Sequence, residues 1–232
     1  EVLNWTTAGS SVSKGETLLD TVRNIEATGP VALIIRHRSS GAPHLAARHV
    51  RCAVVNAGDG THEHPSQALL DAFTLRRRWG GLEGRTVLII GDIFHSRVAR
   101  SNLHCLRALG ARVVLCGPPT LLPPGLEELG AEVTWRLDDV LPQADAVMCL
   151  RVQSERQSES FFPSPREFSR LFGLNAARAE RLKPGALVLH PGPMNRGVEI
   201  APAVADGPHS VILEQVAHGV AVRRAILEEV CR

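Results

Sequence analysis

Residues 56–73, NAGDGTHEHPSQALLDAF, set two histidines, His62 and His64, around Glu63 and directly before Pro65. A zinc site needs three or four ligands, often with two histidines four apart on a helix. Here the two are only two apart, in a loop, with no cysteine pair or third ligand at a usual spacing, so no metal is expected. A histidine at this position can also cap the helix that Pro65 opens. The third use is to donate a hydrogen bond to a reacting carbonyl, with Gln67 in the helix's first turn, where free N–H groups favour anions. The spacing alone leaves the second and third uses open.

Arginine supplies the other chemistry. Apolar runs at 31–35, 53–55, 86–90, 112–116, 145–150 and 186–189, with a weaker one at 131–136, read as strands. The residues just beyond these runs are polar in nearly every case: Arg36 and His37, Asn56 and the loop to His64, Asp92 and Arg97, Arg151 and Gln153, and His190 to Gly197. Guanidinium forks match carboxylates and phosphates because two N–H donors meet two oxygens. Arg36, Arg97 and Arg151 together could hold a ligand with about three acidic groups. For Arg100, Arg156 and Arg196 a surface ion pair, contributing ~0–1 kcal/mol, is an equal reading.

The elements that must position these residues alternate. Helical patterns fall at about 14–28, 65–79, 96–109, 175–182 and 210–230. Ser13-Lys14-Gly15-Glu16 fits a capping box, and Gly110 a helix end. Strands apolar on both faces and separated by helices imply an α/β fold with parallel sheets covered on both sides. In such sheets ligands bind beyond the carboxyl ends of the strands. Gly80-Gly81 is the expected boundary between residues 1–80 and 81–209, the long helix 210–232 being counted with the first domain. Two or three strands are few for a covered parallel sheet. With Glu at position 1 and a strand-like segment at 2–5, this suggests that the first domain is incomplete.

Composition excludes several classes. The 232 residues carry 26 basic and 24 acidic side chains, 44% hydrophobic residues and no tyrosine. Neither a basic stripe nor stacking aromatics speaks for a nucleic-acid partner. The apolar runs are too short to span a membrane. Five cysteines without a C-x-x-C pair suggest reduced thiols and a cytoplasmic setting. Lysine occurs only at 14 and 183. The apolar positions of helix 210–230 (Val211, Ile212, Val216, Val220, Ile226, Leu227) are read as a packing face.

SSVSKGETLLDTVRN, IIRHRSSGAPHLAA, NAGDGTHEHPSQALLDAFTL, GDIFHSRVARSN, LRVQSER and HPGPMNRGVEI occur in an order that resembles aspartate carbamoyltransferase catalytic chains, over essentially the whole sequence. Ornithine carbamoyltransferases lack the Lys-Gly-Glu loop and carry His-Cys-Leu-Pro where this chain has His190-Pro191-Gly192-Pro193. The resemblance implies the carbamoyltransferase fold of two doubly wound parallel-sheet domains. It also implies transfer of the carbamoyl group of carbamoyl phosphate to the α-amino group of aspartate, without metal or other cofactor, in pyrimidine synthesis.

By the same resemblance Arg36 and His64 polarise the carbamoyl oxygen, and Gln67 holds the carbamoyl amide. Arg97, Arg151, Gln153 and Lys14 bind aspartate, and the loop of Gly192 and Pro193, joined by a cis bond, presents backbone carbonyls. Ser10 and Lys14 belong to a loop reaching a neighbouring subunit's site in an obligate homotrimer, and regulatory chains or a dihydroorotase are possible partners. Helix 210–230 crosses back to the first domain, and Glu63 is only solvated loop. A phosphate-binding Ser-Thr-Arg-Thr segment is expected ahead of Glu1. Two rival readings remain. One is an inactive homologue serving as an assembly scaffold. The other is a dinucleotide-dependent dehydrogenase, weakened because VLIIGDIFHSRVA has one glycine where the fingerprint needs three.

Overall fold

The computed structural model describes residues 2–4, 16–152 and 164–232, so Ser10, Ser13, Lys14, Gln153 and Arg156 lie outside the described residues. Two parallel sheets form. In the first, β1 (Ala32–His37) pairs with β2 (Ala53–Asp59), Ala32 opposite Ala53. The second has five strands in the order β5-β4-β3-β6-β7, with β3 at Thr86–Ile90, β4 at Arg112–Cys116, β5 at Glu132–Thr134, β6 at Ala146–Cys149 and β7 at Leu187–Leu189. The seven strands expected between residues 31 and 189 are all present, whereas residues 2–4 of the strand-like segment at 2–5 form no strand.

Alternation along β3 shows why the second sheet is apolar on both faces. Val87 and Ile89 join Leu75, Leu103, Leu106 and Met148 on one side. Leu88 and Ile90 join Val114, Val147, Phe168 and Val188 on the other. Successive side chains in a strand point to opposite faces, so a strand covered twice must be apolar throughout. The first sheet has a smaller core of Val22, Leu33 and Ala46.

The expected helices form as α1 (Leu18–Glu26), α3 (Pro65–Trp79), α4 (Arg97–Ala108), α7 (Ala176–Ala179) and α9 (Ile212–Val230). Four others were not anticipated: α2 (Ala42–Ala47), α5 (Leu137–Val140), α6 (Pro165–Phe172) and α8 (Pro202–Ala205). They run only about one to two turns, too few for a periodic pattern to stand out from the sequence. Only α6 advertises itself, with Ser164 accepting from the Glu167 N–H and Phe168 and Phe172 four apart on its buried face. The start of α1 also differs from expectation. Thr17 caps it by accepting from the Asp20 N–H, and the helix begins at Leu18.

Helix α9 corrects a second expectation in part: Val211 and Ile212 are buried as expected, but the rest of the expected face is not. Its buried residues are Ile212, Gln215 and Gly219, whereas Leu213, Val216 and Val220 are 83%, 66% and 72% exposed. The face that packs on α3 is partly polar. Gln215 donates to Asp71 at 2.8 Å, and Thr74 meets His218 Nδ1 at 2.9 Å. A helix held to its neighbour by hydrogen bonds need not put its most apolar stripe inward.

In the second sheet the chain runs outward through β3, β4 and β5, then returns to the other side of β3 as β6 and β7. The order reverses between β3 and β6, the place where open α/β sheets bind ligands. Gly91, ending β3 at φ 136°, lies so close to Leu150 that a Cβ would stand 2.8 Å from its carbonyl oxygen. Arg97 lies beyond the end of β3 and Arg151 beyond the end of β6.

Candidate active site

A cavity of about 300 Å³ opens at this reversal, lined among others by Arg36, His64, Gln67, Arg97, Arg151, Pro191, Gly192, Pro193 and Arg223. It gathers, from both sheets, the sequence-predicted residues that lie within the described part of the chain. Arg36 comes from β1, His64 and Gln67 from the start of α3, Arg97 from the first turn of α4, Arg151 from beyond β6, and Gly192 and Pro193 from beyond β7. The Gly192–Pro193 bond is cis.

His64 occupies the N-cap position of α3, but its side chain makes no capping bond. The capping reading therefore fails, and the imidazole is left to face the cavity. Its backbone N–H donates to Ser101 Oγ at 2.8 Å, fixing the loop against α4. Ser66 Oγ lies 3.4 Å from Nδ1, on the side where the hydroxyl can donate and leave Nε2 carrying the proton. Burial holds the His64 pKa down to about 4, helped by the positive charges of Arg97, Arg36 and Arg223. At neutral pH the ring is thus an uncharged donor, suited to a carbonyl oxygen.

Glu63 is not the solvated residue it was expected to be. It accepts from Ser101 Oγ and approaches His104 Nε2 at 3.8 Å, tying the loop to α4. His62 turns away from His64, its Nδ1 3.0 Å from Asp59 Oδ2.

Gln67 is buried, and its Nε2 donates to Asp71 Oδ1 at 2.9 Å. Its carbonyl oxygen is therefore the atom free to accept an N–H from a ligand. Asp71 also accepts from Gln215 at 2.8 Å and from Asn102 at 2.8 Å. Complete burial raises its pKa to about 6 despite these donors.

Arg97 is buried at the head of α4, where Ser96 caps by accepting from the Ala99 N–H. Its guanidinium lies against Gly58, where a Cβ would stand 2.7 Å from Arg97 Cζ. The glycine at φ 113° thus clears the space the arginine occupies.

The Pro191–Pro193 loop rests on a buried pair. His190 Nε2 is 3.2 Å from Glu199 Oε1, its Nδ1 accepts from the Gly192 N–H at 2.9 Å, and its own N–H donates to Gln215 Oε1 at 2.9 Å. Gln215 therefore joins the support of Gln67 to that of the cis loop.

Two of the arginines left undecided are structural. Arg100 donates to the carbonyls of Thr61 and Phe94, and Arg196 pairs with Asp206 on the surface. The residue that sequence reasoning missed is Arg223, which reaches the cavity from α9. Gln215, Gly219 and Arg223 are four apart and share one helix face. At Gly219 a Cβ would meet Arg223 Nη1 at 2.5 Å, so the glycine clears the guanidinium's path. A polar, small, basic series inside an otherwise apolar helix was the available signal.

Two family descriptions match in succession: the carbamoyl-phosphate-binding domain of aspartate/ornithine carbamoyltransferases over residues 1–77, and the aspartate/ornithine-binding domain over residues 83–230. The aspartate carbamoyltransferase catalytic subunit of Myxococcus xanthus is 81% identical over 227 residues, covering 98% of this chain and 76% of that protein. The catalytic subunit of Anaeromyxobacter sp. strain Fw109-5 is 61% identical over 228 residues, covering 98% and 72%. Among solved structures, aspartate transcarbamoylase of Trypanosoma cruzi in complex with carbamoyl phosphate superposes with a TM-score of 0.86 at 30% identity, covering 97% of this chain and 73% of that one. Ornithine carbamoyltransferase of Thermus thermophilus gives 0.85 at 25% identity, covering 98% and 76%. With both halves matched in order and the curated relatives aligned over nearly all its residues, the chain belongs to the aspartate/ornithine carbamoyltransferase family, among the aspartate carbamoyltransferase catalytic subunits.

Proposed function

We propose that the chain transfers the carbamoyl group of carbamoyl phosphate to the α-amino group of L-aspartate, giving N-carbamoyl-L-aspartate and phosphate, an early step of pyrimidine synthesis. The observation that carries this reading is the gathering of Arg36, Arg97 and Arg151 around an uncharged His64 and the Gln67 amide in one cavity. The aspartate nitrogen attacks the carbonyl carbon, the C–O bond to phosphate breaks, and the amine's proton leaves with the phosphate. Charge develops on the carbonyl oxygen in between, where Arg36 and the His64 N–H donate to it. The Gln67 oxygen and the carbonyls of the Pro191–Pro193 loop accept from the carbamoyl amide and the incoming amine. Arg97 and Arg151 hold the two aspartate carboxylates, and the family resemblance assigns Gln153 to the same substrate. Fixing both substrates in line removes much of the entropic barrier.

The test is product formation by the purified protein with aspartate and, in parallel, with ornithine. Carbamoyl-aspartate formed at enzyme-like rates, with no carbamoyl-ornithine, is expected. The reverse preference, or no turnover with either, would overturn the reading.

Lys14 and Ser10 are assigned to a loop that completes the cavity of a neighbouring subunit in a homotrimer. Mixing inactive Lys14→Ala with inactive His64→Ala subunits should restore part of the activity, since some shared sites carry neither lesion. No recovery after confirmed subunit exchange would rule the shared site out. A cytoplasmic location fits the unpaired cysteines, since none of the five is in a disulfide. Among the described residues no helix is long and apolar enough to cross a membrane.

A further inference from the structure

His44, Asp59 and His62 come together behind the loop that carries His64, with one ligand atom from each lying within 4.8 Å of the others. We propose that this cluster binds a single divalent transition-metal ion of the Zn²⁺, Ni²⁺ or Cu²⁺ class, with the two imidazoles as ligands and water in the remaining positions, clipping α2 to the loop ahead of His64. That shell is more open than the three or four protein ligands of a structural or catalytic zinc site. The site lies outside the reaction cavity and supplies nothing to the chemistry proposed for it.

The frame is prebuilt around Asp59. This carboxylate is fully buried at the end of β2. Its Oδ2 accepts from the Gly41 N–H, at the head of α2, at 2.6 Å. The same oxygen lies 3.0 Å from His62 Nδ1, and Oδ1 accepts from Asn56 Nδ2 at 2.9 Å and the Glu63 N–H at 3.1 Å. One side chain thus fixes both segments that bear the histidines.

With Nδ1–H of His62 donating to Asp59, Nε2 of that ring carries the lone pair. A carboxylate holding the far nitrogen of a ligating histidine is the usual orientation device of metal sites. The His44 ring stands edge-on to that of His62, with centroids 5.6 Å apart and planes at 66°. Two imidazoles sharing one ion at metal–nitrogen distances of about 2.0–2.1 Å place their centroids roughly 5–6 Å apart. His44 is exposed and the His62 side chain 41% exposed, so an ion with its remaining waters can enter. Imidazole donors without thiolate suit Cu²⁺, Ni²⁺ and Zn²⁺ and disfavour Mg²⁺ and Ca²⁺.

Calorimetric titration of the chelator-treated protein with ZnCl₂ tests this, alongside the visible spectrum with Co²⁺. One ion per chain is expected, with His44→Ala and His62→Ala each weakening binding by at least about tenfold. Asp59→Asn should weaken it by about 10–100-fold. Should that buried change disturb folding, His44→Gln serves in its place, since His44 is on the surface. Zn²⁺ should raise the melting temperature of the parent protein and leave that of His44→Gln unchanged. Full-strength binding in a His44→Ala/His62→Ala double variant would overturn the proposal. So would a Co²⁺ spectrum with thiolate charge-transfer bands, which would place the ion at a cysteine such as the exposed Cys231.

Discussion

The two sheets divide the work unequally. The five-stranded sheet has β3 and β6 buried at every residue and two large apolar clusters. Among the described residues the two-stranded sheet has no fully covered strand, and Val31 and Ile34 beside its small core are 63% and 59% exposed. Yet the thin sheet supplies Arg36 and leads into His64 and Gln67, the groups proposed for the carbonyl, while the thick sheet supplies Arg97 and Arg151, proposed for the second substrate. Among the described residues, the placement of His64 and Gln67 does not come from the apolar core of their own sheet. In the thin half that placement comes from hydrogen bonds to α4 and α9.

Core deletion should separate the halves most. Phe168→Ala removes a fully buried ring from the thick half and should cost about 3–5 kcal/mol. Leu33→Ala, in the thin half, should cost about 2 kcal/mol, the low end for such changes. Urea denaturation gives both values, and equal losses would erase the contrast.

Next in size is the division of chemical roles. His64→Ala should lower kcat by about 10²–10³-fold, as loss of an oxyanion donor does, with little change in the KM for aspartate. Arg151→Ala should instead raise that KM and spare carbamoyl phosphate binding. Steady-state kinetics with each substrate varied would break the assignment if both changes weakened both substrates alike.

A smaller effect is expected at Gly58. Gly58→Ala should cost about 1–3 kcal/mol of stability through its backbone conformation and also raise the aspartate KM by displacing Arg97. Gly29→Ala, at φ 79° with open space around it, should lose stability without a change in KM. Denaturation and kinetics on the pair separate backbone strain from displacement of the arginine.

The thick sheet was the more legible half because its strands are apolar on both faces, and runs such as TVLII and AVMC mark β3 to β7. The ligand-facing residues were legible for a related reason, since a polar residue directly after such a run must stand at the strand's carboxyl end. The features that escaped notice are held by contacts between distant segments. Asp71 sits within LLDAF with nothing to mark it as the acceptor for Gln67, Asn102 and Gln215. The buried face of α9 was misassigned because hydropathy favoured Val216 and Val220, whereas partners on α3 selected Gln215 and Gly219. Glu63 looked solvated because Ser101 is 38 residues away.

Arg223 gives the finest test of how the halves are joined, since it stands on α9 and acts on His64 across the cavity. Burial, Arg97, Arg36 and Arg223 together hold His64 near a pKa of about 4, below its ordinary 6.5. The folded protein therefore binds fewer protons at this site than the unfolded chain between those values. The stability from keeping the ring neutral is present above pH 6.5 and is lost as pH falls through that window. Removing one positive charge must move the His64 pKa upward. In Arg223→Ala the acid limb of the pH–rate profile should shift toward neutral pH, with only a modest change in rate at about pH 8. Arg223→Lys, which keeps the charge, should restore the limb at least in part. An unshifted limb in the alanine variant would mean that Arg223 acts through packing and not through its charge. Then α9 would support the site by the Gln215 hydrogen bonds alone.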